Sequence, residues 1–453
     1  MEREKTSRGQ VDLLNGPIMK SLIWFAVPIF ISMLFQQLYN AADTAIVGNI
    51  LGEKSLAAIG AVSAVFELFL HLATGLCSGF GIVIARAYGS KDEDKLKRSV
   101  AGALMIGIGT ALLISLLSIV FLKPLLQLIN TPEDIIGEAL SYIRIVSLFL
   151  FVTFTYNLVS GALRAIGNSV LPLIFLIFSS VLNVILDYIF IAFWGAGVQG
   201  AAVATVISQA VSAVLCIIYL FRKVPLLIPE PKHLKIDVSL IRELAGQGFA
   251  AALMSSLVSI SSIILQSGIN GLGTEIIAAH ISGRKIFFLS AMPFIAMPIG
   301  ISVFISQNRG AGNGQRILKA MKDAYLFFAA IAAVMSLILW TSAPALIRLI
   351  SGSDNPLIIS NGSRLLYVLG PFLFILGIIN TTRHSLQGIG YKLIPVISSL
   401  IELAGKVLFV IFLIPRFGYS AVIWCEPSIW VFMAIQLLYA WYTNDYIAGL
   451  RKN

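Results

Sequence analysis

The chain has 453 residues, of which 58% are hydrophobic and 12% charged, and it carries a formal net charge of +10. A soluble protein is about a quarter charged, so this composition, with a mean hydropathy of +0.91, excludes a soluble globular domain and describes an all-α integral membrane protein. The basic excess is spread over short breaks between apolar runs, which argues against a nucleic-acid surface and for the charge asymmetry of membrane topology.

Apolar runs long enough to cross about 30 Å of hydrocarbon predict about twelve spans, beginning near residues 18, 55, 97, 134, 168, 198, 239, 275, 317, 357, 392 and 419. The first, from Ile18 to about Val47, is too long for the core of a cleaved signal and is read as a retained span. It carries Pro28, then Gln36, Tyr39 and Asp43 on one face. Proline removes a helical hydrogen bond, so Pro28 is read as a hinge in a helix with an acid near its far end. Span 2 holds Glu67 and His71 four residues apart, read as a static hydrogen bond or a proton relay. Cys77, Cys216 and Cys425 fall inside apolar runs without paired or metal-type spacing.

Alternate breaks differ in charge. One set includes Arg3, Lys5, Arg8, Lys91, Lys95, Arg222, Lys232, Arg309, Arg316, Arg383 and Arg451, whereas the other holds only Lys54, Lys123, Arg348 and Arg416. Both termini are therefore expected in the cytoplasm of a cell-membrane protein. An internal repeat divides the chain: LGEKSLAA (51–58) answers to LGTEIIAA (272–279) at an offset of 221, and RAIGNSVLP (164–172) to QGIGYKLIP (387–395) at 223. Two halves with an even number of spans share one orientation, which makes this a parallel repeat. The expected organisation is a cytoplasmic segment 1–17, a six-helix bundle 18–222, a linker 223–238, a second bundle 239–446 and a tail 447–453.

Span 5 contains SVLNVILDYIF (180–190), apolar except for Asn183 and Asp187, which stand four apart on one helical side. An unpaired carboxylate inside a bilayer is costly and marks function by default. At about 1.5 Å rise per residue, Asn183 and Asp187 come to a depth comparable with Asp43 on span 1 and Thr205 on span 6. Two carboxylates, an amide and a hydroxyl make a set of hard oxygens suited to Na⁺, or an acid pair suited to H⁺. RGAGNGQR (309–316) lacks the lysine ending of a phosphate loop, and its counterpart in the first half is an ordinary charged turn. With no nucleotide-binding motif, energy for transport is expected from an ion gradient. No nucleophile with its base, metal-ligand set or cofactor motif argues for an enzyme.

The second half does not duplicate the acid cluster: Asp43, Asn183 and Asp187 answer to Ile264, Lys406 and Val410. It has instead Glu402 four residues before Lys406, Glu426 in span 12, and His280 with Arg284 in span 8. These read either as structural pairs that neutralise one another or as a site for an acidic group on a substrate.

The opening LLNGPIMKSLIWFAVPIFISMLFQQLYNAADTAIVG, the GALRAIGNSVLP turn and the WCEP segment, together with twelve spans in two halves, resemble the bacterial branch of the multidrug and toxic compound extrusion (MATE) family over essentially the whole length. The resemblance implies two six-helix bundles in a V-shaped exporter that exchanges Na⁺ or H⁺ entry for outward movement of amphipathic, usually cationic, compounds. By match to the family pattern, Asp43, Asn183, Asp187 and Thr205 would form the first-bundle cation site, Pro28 the bend of helix 1, and Gln36 and Tyr39 part of the drug cavity. Some members place coupling acids on helix 7; here that helix (239–268) has no acid beyond Glu243 near its start, so coupling is not expected there. The expected partners are a small amphipathic substrate and the lipid bilayer, for a monomer without nucleic acid or cofactor. The alternative is a flippase or exporter of a lipid-linked or anionic amphipathic substrate in the same superfamily.

Overall fold

In hydrocarbon every backbone N–H and C=O must find its partner inside the protein, and long apolar runs do this as helices. The computed structural model, which describes residues 9–128, 131–235 and 237–452, is accordingly helical, and among the described residues the only β pairing is an isolated bridge between Gln10 and Asn168. Arg3, Lys5 and Arg8 of the N-terminal segment and Asn453 of the tail lie outside the described residues.

In chain order the helices are α1 (Ile18–Leu51), α2 (Glu53–Gly89), α3 (Glu93–Leu128), α4 (Glu133–Leu148), α5 (Leu150–Ala165), α6 (Val170–Asp187), α7 (Gly197–Lys223), α8 (Val238–Asn270), α9 (Thr274–Ala291), α10 (Pro293–Gly310), α11 (Gly314–Ser351), α12 (Pro356–Gly388), α13 (Leu393–Leu408), α14 (Ile414–Phe417), α15 (Tyr419–Tyr442) and α16 (Asp445–Lys452). Among the described residues eleven helical segments are long and apolar enough to span a membrane, and the α4–α5 pair, bent by 46°, makes a twelfth if it crosses as one. The 34 residues of α1, at about 1.5 Å each, exceed the hydrocarbon thickness, so α1 extends beyond the core or tilts.

The chain forms two compact units. The first comprises residues 1–16 and 24–252, the second 17–23 and 253–453. The linker and the start of α8 thus belong to the first unit, and the first turns of α1 to the second. The change of unit in α1 falls one turn before Pro28, through which the helix runs unbroken.

The repeat found in the sequence is built into the backbone. Gly167 and Gly390, 223 residues apart, both take positive φ (93° and 87°) in the turns before α6 and α13. Gly197 and Gly418, 221 apart, do so at the starts of α7 and α15 (58° and 55°). This left-handed conformation is open to glycine at little cost. A π-helical segment follows each of α6 and α13, at Tyr188–Phe193 and Phe409–Leu413.

Both α6 and α13 carry their polar residues inward. Pro172, Leu176, Ser179, Ser180, Asn183 and Asp187 are the buried stripe of α6, while Ile174, Phe178, Val181 and Ile185 are exposed. On α13 the stripe is Pro395, Val396, Ser398, Ser399, Glu402 and Lys406, with Leu393, Ile397, Leu400 and Leu408 exposed. Apolar residues lose nothing by facing lipid, whereas polar ones must be satisfied within the bundle.

Candidate functional site

In the first unit α6 and α7 pack together and bring Asn183 to Thr205. The Asn183 amide nitrogen donates to Thr205 Oγ1 at 3.5 Å, and Thr205 donates back to the Ala201 carbonyl at 3.1 Å. The first bond directs the Asn183 carbonyl oxygen away from Thr205. Asp187 is fully buried and Asn183 is 4% exposed, while Asp43 and Thr205 are half-buried. Asp43 and Asp187 are electrostatic neighbours. Asp43 Oδ1, Asn183 Oδ1 and both Asp187 carboxylate oxygens are buried without a hydrogen-bond partner, and neither acid forms an ion pair among the described residues.

Buried polar atoms are nearly always hydrogen-bonded, so four orphaned acceptors around one acid pair are an anomaly of the kind a bound cation resolves. Three carboxylate oxygens, an amide oxygen and the remaining lone pair of Thr205 offer a monovalent cation a set of hard ligands. Carboxylate, amide and hydroxyl oxygens without an imidazole or thiolate are donors of the kind that suits hard cations rather than soft transition metals.

One helical turn beyond each of Asp43, Asp187 and Thr205 come Val47, Ile191 and Ala201. All three are at most 2% exposed and belong to one apolar cluster with Val62, Leu126, Ile143 and Val146. This cluster caps the acid pair on one side and keeps the local dielectric low, which strengthens every charge interaction beside it. Tyr142 of α4, 5% exposed, lies within electrostatic range of Asp43, Tyr39 and Asp187. Sequence reading passed over Tyr142; its only signal was a phenol on an otherwise apolar helical face.

The remaining residues of the first unit divide. Tyr39 is half-buried and neighbours Asp43, and Gln36 is exposed. The carbonyl of Pro28 accepts a 2.8 Å bond from the Ser32 hydroxyl. The Glu67–His71 pair expected in span 2 does not form. Glu67 sits on the exposed side of α2, His71 is half-buried, and no hydrogen bond or ion pair joins them among the described residues. Glu243, the lone acid at the start of α8, is ion-paired with Arg86.

In the second unit the polar candidates come together. Lys406 Nζ lies 2.9 Å from Glu402 Oε1 and 3.5 Å from Glu426 Oε1, and Arg284 forms an ion pair with Glu426. Ser261 donates to Glu402 at 3.5 Å, the guanidinium of Arg284 lies 5.7 Å from the ring centre of Phe287, and His280 Nδ1 lies 3.4 Å from the Tyr419 hydroxyl. Two cations and two anions balance.

The MatE family model matches residues 28–189 and 250–412, one segment in each half of the repeat. The chain belongs to this family of multidrug efflux transporters and is a multi-pass membrane protein. It is 26% identical to the probable multidrug resistance protein YoeA of Bacillus subtilis, covering 94% of this chain and 93% of that one. It is 24% identical to the multidrug export protein MepA of Staphylococcus aureus, covering 90% of each. A multidrug resistance MATE family transporter solved in an outward-facing conformation is 25% identical, with a TM-score of 0.88 over 99% of this chain and all of that one.

Proposed function

We propose that this protein is a secondary antiporter that exchanges Na⁺ or H⁺ entry for efflux of amphipathic organic cations by alternating access. The observation that carries the reading is the set of orphaned oxygens on Asp43, Asn183 and Asp187. A buried and a half-buried carboxylate side by side, with three oxygens that no donor reaches, have in a membrane protein a strong electrostatic reason to take up a cation. The names of the relatives, multidrug resistance and multidrug export, support the substrate class.

Coupling follows from linkage. A cation drives substrate release only by binding the two states of the transporter differently. Asp43 stands on α1, the helix that contains Pro28, whereas Asn183, Asp187 and Thr205 stand on α6 and α7. Neutralising the acid pair lets α1 approach α6, and a weakened point at Pro28 lets α1 bend to do so. Gln36 and Tyr39, on the Asp43 side of α1, face the substrate path in this scheme, and both termini stand in the cytoplasm. Lys406 and Arg284 of the second unit are matched by Glu402 and Glu426, which supports a cationic substrate over an anionic one.

The test is efflux of ethidium from proteoliposomes, driven separately by an imposed Na⁺ gradient and an imposed pH gradient. Wild type is expected to respond to one of them, and Asp187→Asn and Asp43→Asn to neither. Equal efflux by wild type and both variants would falsify the cation site.

A further inference from the structure

The charge cluster of the second unit has a counterpart in the first. Residue 183 maps to 406 at the offset of 223 that also relates Gly167 to Gly390 and Pro172 to Pro395, and residue 205 maps to 426 at the offset of 221 that relates Gly197 to Gly418. The Asn183–Thr205 contact of 3.5 Å therefore corresponds to the Lys406–Glu426 contact, also 3.5 Å. The same two helices of each unit meet at the same place, through an amide and a hydroxyl in one and an ammonium and a carboxylate in the other.

The two places differ in how their acids are satisfied. In the first unit four acceptor atoms are orphaned, whereas no side-chain atom of Arg284, Glu402, Lys406 or Glu426 is buried without a partner. The Lys406 side chain is 1% exposed, and its ammonium lies between two carboxylates. A primary ammonium is a compact monovalent cation with three donors. It differs from a free ion chiefly in being tied to the chain and therefore always present.

We propose that Lys406 Nζ is a tethered substitute for a monovalent cation, filling the second unit's counterpart of the cation site. The chain then has one exchangeable cation site where its repeat provides two places for one. Without Lys406, Arg284 remains as the ion-pair partner of Glu426 and Arg383 stands only within electrostatic range of Glu402, leaving Glu402 without its ion pair beside a space of ammonium size. That vacated space binds Na⁺ or a small ammonium ion. The proposal rests on the cation reading of the first unit only for the comparison, and its test is made with that site disabled.

Thermal unfolding of the purified protein is measured at about pH 8.5, well above the ordinary carboxylate range, with Na⁺ or methylammonium replacing N-methylglucamine. Asp187→Asn alone is expected to show no response to either ion. Adding Lys406→Ala is expected to lower Tm and to create a saturable rise in Tm with both ions, lost again when Glu402→Gln is added. A folded Lys406→Ala, Asp187→Asn variant with Tm independent of both ions, or dependent on pH alone, overturns the proposal. The charge-balanced combination Lys406→Met, Glu402→Gln, Asp187→Asn controls for folding. If it folds while the alanine variant does not, recovery of the alanine variant by methylammonium supports the proposal, and failure to recover overturns it. A cation response already present in Asp187→Asn counts against the first-unit reading, and the second is then judged by the increment that Lys406→Ala adds.

Discussion

Asp187 and Glu426 are both buried acids in membrane helices, yet their surroundings predict opposite responses to the same chemical change. Glu426 faces Lys406 and Arg284, so Glu426→Gln leaves two cations sharing one carboxylate. Removing one partner of a buried ion pair costs about 3–5 kcal/mol, and Tm should fall markedly. No donor reaches either oxygen of Asp187, whose carboxyl lies against that of Asp43, so Asp187→Asn relieves a contact between two acids and should hold or raise Tm in sodium-free buffer while abolishing gradient-driven efflux. Thermal unfolding of both variants separates the roles, and a comparable loss in each would show that Asp187 is a structural partner after all. Asn183 and Asp187 were legible in the sequence because they interrupt an apolar helix at i, i+4 spacing. Tyr142 was not, because a tyrosine on an apolar face announces no partner until the fold supplies one.

At the scale of elements, α1 and α2 carry opposite demands. Within α1, Pro28 cannot donate to the carbonyl of Trp24, and a proline inside a helix costs about 3 kcal/mol. Pro28→Ala restores that bond. The expected outcome is a protein with Tm equal to or above wild type and with reduced ethidium efflux; undiminished efflux would remove the hinge. Helix α2, by contrast, has to stay close to residues 247–252 of α8. A Cβ placed on Gly79 would lie 2.4 Å from the carbonyl oxygen of Gln247, and one on Gly75 would lie 2.5 Å from Cα of Ala252. Those neighbours are backbone and cannot swing away, so Gly79→Ala forces the helices apart and should destabilise by about 1–3 kcal/mol. A Tm unchanged by Gly79→Ala would show that the crossing has slack. The proline could be read from the sequence as a weak point in a span. The role of Gly79 could not, since glycines are frequent in membrane helices whether or not another backbone approaches them.

At the scale of the whole molecule, the linker is held to the first unit by charge. Glu230 binds Lys97 at 3.0 Å and Lys232 at 2.9 Å, and His233 Nε2 reaches Asp94 at 3.1 Å. Hydrogen bonds from Lys232 and Lys97 hold the Glu230 carboxyl at about 2, below its ordinary value of 4.5. A carboxylate with a depressed folded pKa contributes its full stability above the unfolded value and loses it as pH falls through the folded one. The contribution of Glu230 to linker docking should therefore be constant above about pH 4.5 and weaken from there toward pH 2. At neutral pH, Glu230→Gln removes both ion pairs, and trypsin should cut after Lys232 faster than in wild type. Equal cleavage rates would show that the linker is held by other contacts.

Apolar runs and the 221 to 223-residue offset determined that the chain is helical, with about twelve spans and a repeated plan, because each of these is a local pattern or a comparison of the chain with itself. The same reasoning assembled Asp43, Asn183, Asp187 and Thr205 from depth alone, since rise per residue converts sequence position into height in a bilayer. Only the tertiary structure decided which charges meet. Arg284 and Glu426 are 142 residues apart, and the sequence, which favoured Glu402 as the partner of Lys406, left a substrate as the alternative. Rotation of each helix about its axis, which sets what a buried charge faces, is settled by packing against helices distant in the chain.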